Sequence, residues 1–195
     1  MPALHPALEL LPRLDPALAL DDLDWAVGGA VAMAFHGYSR HTDDLDVFFH
    51  GDDVNRVLFA LRKAGVVFAT IADPYHYAIF PDLTQPDRRI DLLFAWDDAE
   101  SDAIAFPDER TVEVAGAQRT VKYFPLLLLV ACKLQSNRPR DNDDVARMYE
   151  RGLFDPGQAR VILDRLGGDP EAIARLSRIQ SGSTLPPPNR RPRGR

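Results

Sequence analysis

Three aspartates, Asp43, Asp44 and Asp46, crowd into the stretch SRHTDDLDVFFH, residues 39–50, immediately ahead of bulky apolar side chains. Side chains alternate along a strand, so Asp44 and Asp46 point one way and Leu45 and Val47 the other. Two carboxylates held close together repel, and they need water, a proton or a cation between them. Donors that are all oxygen suit Mg²⁺, with Mn²⁺ as the other hard cation of that kind. Asp-x-Asp by itself reads equally as a solvated turn. Two further features bear on the choice. Gly28-Gly29 lies shortly upstream, where a strand gives way to a helix; glycines there let backbone N–H groups approach a phosphate. Asp91 stands in RIDLLF between Ile90 and Leu92. A carboxylate within an apolar strand is costly unless it is paired or metal-bound. Asp91 is therefore either a third metal ligand or the partner of an arginine such as Arg88 or Arg89.

A second group lies further on, in ACKLQSNRPRDNDDVARM. Lys133 interrupts an apolar helix in a chain that has three lysines among 23 basic residues. A lysine kept there reads as a phosphate ligand, or as a snorkelling surface residue. Asp141 and Asp144, three apart, share a helix face. Asp141 is placed to cap the helix, and Asp144 to pair with Lys133 or an arginine. Arg138 and Arg140 are further candidates for phosphate contact. The five histidines have no zinc-type spacing with Cys132, the single cysteine, and no P-loop or Gly-x-Ser-x-Gly elbow occurs. Tyr75, Tyr77 and Phe80 read as packing.

The elements that must position these groups follow from periodicity and punctuation. DWAV, 24–27, reads as a strand, broken by the glycine pair and followed by a small-residue helix ending near Gly37. LDVFF, 45–49, reads as a strand, and residues 52–65 as an amphipathic helix with Val54, Val57, Leu58 and Leu61 on one face. Further strands are expected over 66–71, 76–80 and 88–95, and a hairpin over 111–124 turning at Ala115-Gly116. Helices follow near 125–135, 141–152, 156–166 and 170–179. Asp15-Pro16, Asp155-Pro156 and Asp169-Pro170 each look like an N-cap with proline in the first turn. The expected fold is α/β: a mixed sheet with flanking helices, then a C-terminal helical segment. The expected divisions are an N-terminal helix over 1–23, a core over 24–124, a helical segment over 125–180, and a disordered tail over 181–195 with four arginines and no acid.

Bulk properties narrow the function classes. The net charge is −6, which disfavours broad, non-specific nucleic-acid binding. The longest apolar run, FPLLLLVAC, is too short to span a bilayer, no signal peptide is evident, and one cysteine suits a reducing compartment; a cytoplasmic location is expected.

The series strand, Gly-Gly, helix, Asp-x-Asp, and a later strand bearing one aspartate resembles the nucleotidyltransferase superfamily that includes DNA polymerase β. VGGAVAMAFHGYSRHTDDLDVFF is most similar to small bacterial nucleotidyltransferase-like proteins of the AbiEii toxin type. The match is good over residues 24–50 and looser over 88–150. The resemblance implies a minimal nucleotidyltransferase core, with Asp44 and Asp46 on the metal-binding pair, Asp91 as third carboxylate, and Asp43 at a variable position. It puts Gly28, Gly29, Arg40 and Thr42 at the nucleotide or its turn, and extends to Lys133, Asp141 and Asp144. His36 and Gly37 also match, and His36 reads as a satisfied core histidine before a catalytic one. The implied activity is Mg²⁺-dependent transfer of a nucleoside monophosphate from an NTP to an acceptor hydroxyl on tRNA, protein or a small molecule. An antitoxin partner protein belongs to that reading. The alternative is an inactive nucleotidyltransferase-like binding module acting through a partner protein.

Overall fold

The computed structural model describes residues 5–71, 75–82, 84, 88–136 and 138–182. The expected tail beyond 182 lies outside the described residues. One compact unit ends at Pro125 and a second begins at Leu126.

The first unit is built on a seven-stranded sheet. In chain order its strands are β1 (Trp25–Val27), β2 (Leu45–His50), β3 (Phe68–Thr70), β4 (His76–Ile79), β5 (Ile90–Ala95), β6 (Asp108–Val114) and β7 (Ala117–Tyr123). Their spatial order is β3-β4-β5-β2-β1-β7-β6. The pairs β2–β5 and β1–β7 are parallel and the rest antiparallel, so the sheet is mixed as expected. β2 sits between β1 and β5, and its alternation is strict. Leu45, Val47 and Phe49 are fully buried, while Asp46, Phe48 and His50 are half-buried on the other face. The parallel register sets Asp46 beside Asp91 and Phe48 beside Leu93. The hairpin of β6 and β7 turns at Ala115, which adopts φ of 51°, and Gly116.

The helices of this unit are α1 (Asp15–Leu18), α2 (Gly29–Phe35), α3 (Val54–Lys63) and α4 (Asp98–Ala105). Two expectations need correcting. The N-terminal helix is a 3-10 segment, Pro6–Leu14, joined to the short α1; Pro12 lies inside it and withholds an N–H from a regular α-helix. Asp15 caps nothing. Its carboxylate instead accepts two hydrogen bonds from Arg119, at 2.6 and 2.9 Å. Helix α4 lies outside the expected elements; its buried face is only Ala99, Ala103 and Ile104, too few apolar positions to set a helical period in the sequence.

The second unit is helical: α5 (Leu126–Ser136), α6 (Pro139–Glu150), α7 (Pro156–Arg165) and α8 (Pro170–Ser181). The last two begin as expected. Asp155 accepts from the Gln158 N–H and Asp169 from the Glu171 N–H, each worth about 1 kcal/mol. α6 starts two residues earlier than expected, with Pro139 in its first turn and Arg138 at the cap position, so Asp141 is no cap.

Candidate active site

The backbone brings the glycine pair to the aspartates. The Gly28 N–H donates to the Asp46 carbonyl at 3.0 Å, which ties the end of β1 to β2. Gly29 then opens α2 with φ of 55°, a left-handed conformation that favours glycine. A Cβ on Gly29 would stand 1.8 Å from Asp46 Oδ2, and one on Gly28 would stand 2.4 Å from the Phe48 ring. Gly29 is thus the condition for the Asp46 carboxylate to lie where it does, and Gly28 the condition for the Phe48 ring.

Asp44, Asp46 and Asp91 converge. Each offers an oxygen, and these oxygens lie within 4.8 Å of one another. Asp91 is 3% exposed, whereas Asp44 and Asp46 are half-buried. Alternation places Asp46, and the parallel register places Asp91 beside it. Asp44 lies just ahead of β2, and the hydroxyl of the buried Thr42 donates to its Oδ1. Asp43 is exposed and faces His41, 3.3 Å away.

Of the two readings of Asp91, the arginine pairing is seen directly, and the residue also lies with the other two aspartates. It accepts from Arg89 Nε at 2.8 and 3.1 Å. Its bond to Asp91 raises the Arg89 guanidinium above its ordinary range; burial opposes this, and the charges of Asp91, Asp44 and Asp46 add to the rise. A second partner had no signal in the sequence. His76 Nε2 lies 3.2 Å from Asp91 Oδ1. β4 pairs His76 with Leu93, two residues beyond Asp91 on the same face, which brings the imidazole diagonally over the carboxylate. His76 stood out in sequence only as a histidine without zinc spacing.

Three carboxylates this close together repel and favour positive charge between them. An all-oxygen donor set, partly desolvated and cradled by a glycine, fits one or two hard divalent cations.

Other candidates lie elsewhere in the first unit or in the second. Arg40 is half-buried; its carbonyl pairs with His5 and its guanidinium reaches the His41 carbonyl. His36 Nε2 donates to the Phe124 carbonyl at 2.8 Å and its ring meets Tyr123 edge-on, so it is a satisfied structural residue. Lys133 is 5% exposed and donates to Asp141 at 2.7 Å and Asp144 at 2.9 Å. The expected phosphate ligand is instead the centre of a buried ion cluster, its charge already met by two carboxylates. Burial pushes the Asp141 carboxyl up, but Lys133, the Ser136 hydroxyl and Arg138 outweigh it and hold the group below the usual range. Arg138 donates to Asp141 at 2.6 Å.

No family model matches the chain, and no curated protein matches it. Its outline is similar to several solved structures. The complex of ANT(2")-Ia with adenylyl-2"-tobramycin is 18% identical, with a TM-score of 0.48 over 90% of this chain and 97% of that one. An antigenic nucleotidyltransferase-like protein from Paracoccidioides brasiliensis is 16% identical, with a TM-score of 0.47 over 89% of this chain and 92% of that one. The lincosamide antibiotic adenylyltransferase LnuA, lincomycin-bound, is 10% identical, with a TM-score of 0.42 over 71% of this chain and 92% of that one. Each of these is a likeness of chain outline.

Proposed function

We propose that this protein is a metal-dependent nucleotidyltransferase that moves a nucleoside monophosphate from an NTP to an acceptor hydroxyl. The observation that carries this reading is the convergence of the Asp44, Asp46 and Asp91 oxygens within 4.8 Å of one another. The stretch from Gly28 to Asp46, with its superfamily resemblance, supports it from the side of sequence.

In the reaction the acceptor oxygen attacks the α-phosphorus. The new O–P bond forms as the bond from that phosphorus to the bridging oxygen breaks, and pyrophosphate leaves with the electron pair. Asp91 takes the hydroxyl proton and passes it to water. Asp44, Asp46 and Asp91 would hold one or two Mg²⁺ or Mn²⁺ ions, which when bound would neutralise the triphosphate and stabilise charge on the attacking and leaving oxygens. Thr42 fixes the Asp44 carboxylate through its hydroxyl. Gly28 and Gly29 are assigned to the phosphates by the motif; in the fold Gly29 makes room for the Asp46 carboxylate, and the Gly28 N–H is given to the Asp46 carbonyl. Arg40 is assigned to the nucleotide by the motif alone. The finer reading, a toxin of the AbiEii type with an antitoxin partner protein, rests on the same motif.

Asp46→Asn keeps the shape of the side chain and removes its charge. Transfer from an α-labelled NTP should fall about 10³-fold in a variant with the wild-type circular dichroism spectrum. Labelling at the wild-type rate would remove Asp46 from the reaction. One observation favours the inactive binding module instead: Arg89 meets both oxygens of Asp91 and so competes for the third ligand. Calorimetry with NTP and Mg²⁺ separates the two, since a scaffold without a nucleotide site gives no heat at millimolar nucleotide.

A further inference from the structure

Beside the triad, on the same face of the sheet, lies a cavity of about 440 Å³ lined by Tyr75, His76, Leu93, Trp96, Asp97 and Glu100, with Phe94 beneath. It connects to Asp91 through a single side chain, because His76 both lines the cavity and hydrogen-bonds the Asp91 carboxylate. Its lining is of two kinds. Trp96 is 58% exposed and Tyr75 41%, and their rings meet edge to face at 5.0 Å. Two exposed rings in contact give the cavity an aromatic wall open to a ligand. The indole is also held in place: a Cβ on Gly51 would stand 2.2 Å from it, so the ring lies directly on the Gly51 backbone. The remaining polar lining is acidic. Asp97 caps α4 through the Glu100 N–H at 2.8 Å, which places both side chains at the same helix end. Aromatic faces next to carboxylates are the chemistry that recognises organic ammonium groups, through cation–π attraction and charge-assisted hydrogen bonds. A phosphate-rich partner such as RNA would meet repulsion here.

The geometry points to an acceptor site for a hydroxylated organic amine, such as an amino sugar, whose ammonium group sits between the Tyr75 and Trp96 rings and the Asp97 and Glu100 carboxylates. Its hydroxyl is then presented past His76 toward Asp91. The acceptor role rests on the transfer reading above; the amine binding does not, and it is measured separately.

The full chain, without metal or nucleotide, is titrated with glucosamine and with its uncharged N-acetyl form, following tryptophan emission. Trp25 is buried and Trp96 exposed, so Trp96 is the reporter, and Trp96→Phe should abolish the change. Glucosamine should give a saturable change at millimolar concentration, with the N-acetyl form at least tenfold weaker. Asp97→Asn with Glu100→Gln should remove that preference and leave the circular dichroism spectrum unchanged. Gly51→Ala, which displaces the indole, should weaken glucosamine binding, read by calorimetry. Equal binding of the two sugars, no saturable change, or a preference that survives in the double variant would overturn the amine site. Asp46→Asn should bind glucosamine as the wild type does. Loss of transfer with amine binding retained therefore bears on the metal site, and transfer without amine selectivity bears on the acceptor.

Discussion

The chain holds two groups of desolvated carboxylates, and they are balanced differently. In the helical unit, Asp141 and Asp144 face Lys133 and Arg138, so two negative charges meet two positive ones. In the sheet unit, Asp44, Asp46 and Asp91 converge on one another, and Asp91 is met by Arg89 and by His76. A balanced buried cluster is a structural unit whose parts need one another. On the proposed function, the converging aspartates of the sheet unit take a cation from outside the chain. The same residue types then serve packing in one place and chemistry in the other.

The largest effect is expected from breaking the balanced cluster. Lys133→Met would leave two buried carboxylates without their cation, at a cost of roughly 3–5 kcal/mol, read as a lowered urea midpoint. Acid breaks the same cluster more gently. The Asp141 carboxyl titrates lower in the folded chain than in the unfolded one, so the unfolded chain takes up the proton first as pH falls. Its contribution is complete above the ordinary carboxylate range, near about pH 4, and is lost as pH falls through the lower folded value. Thermal melts should therefore fall steeply below about pH 4, and less so in Asp141→Asn. The aspartates of the sheet unit should respond in the opposite sense. Without metal, Asp46→Asn relieves repulsion and should leave stability equal or raised by about 1 kcal/mol, even as transfer is lost. Asp43→Asn, which faces solvent, should move neither by more than about 0.5 kcal/mol. A destabilised Asp46→Asn or an indifferent Lys133→Met would erase the contrast.

The triad was legible in the sequence because its signals are local. The Asp-x-Asp spacing sets Asp44 and Asp46 close, though Asp44 lies just ahead of β2 and is held by Thr42, and a carboxylate between Ile90 and Leu92 announces a partner. Most strands and helices were legible for the same reason, through period, proline and glycine. What escaped the reading depends on pairing between distant segments. His76 reaches Asp91 only because β4 runs antiparallel to β5 in a particular register, and the sequence carries no mark of that register. Asp15 finds Arg119, 104 residues away. The Lys133–Asp144 pair is one of the alternatives the sequence offers; that Asp141 joins it depends on the turn between α5 and α6, which the sequence does not mark. A lone lysine in an apolar helix signals a buried negative partner, and here two carboxylates meet it.

The central claim is that the three aspartates hold a divalent cation. Electron spin resonance of free Mn²⁺, titrated with the full chain in the presence of NTP, tests it without any knowledge of the acceptor. Wild-type protein should withdraw Mn²⁺ from solution beyond what the nucleotide alone binds, and Asp46→Asn should do so at least tenfold more weakly. Identical Mn²⁺ uptake by the two proteins would contradict the account.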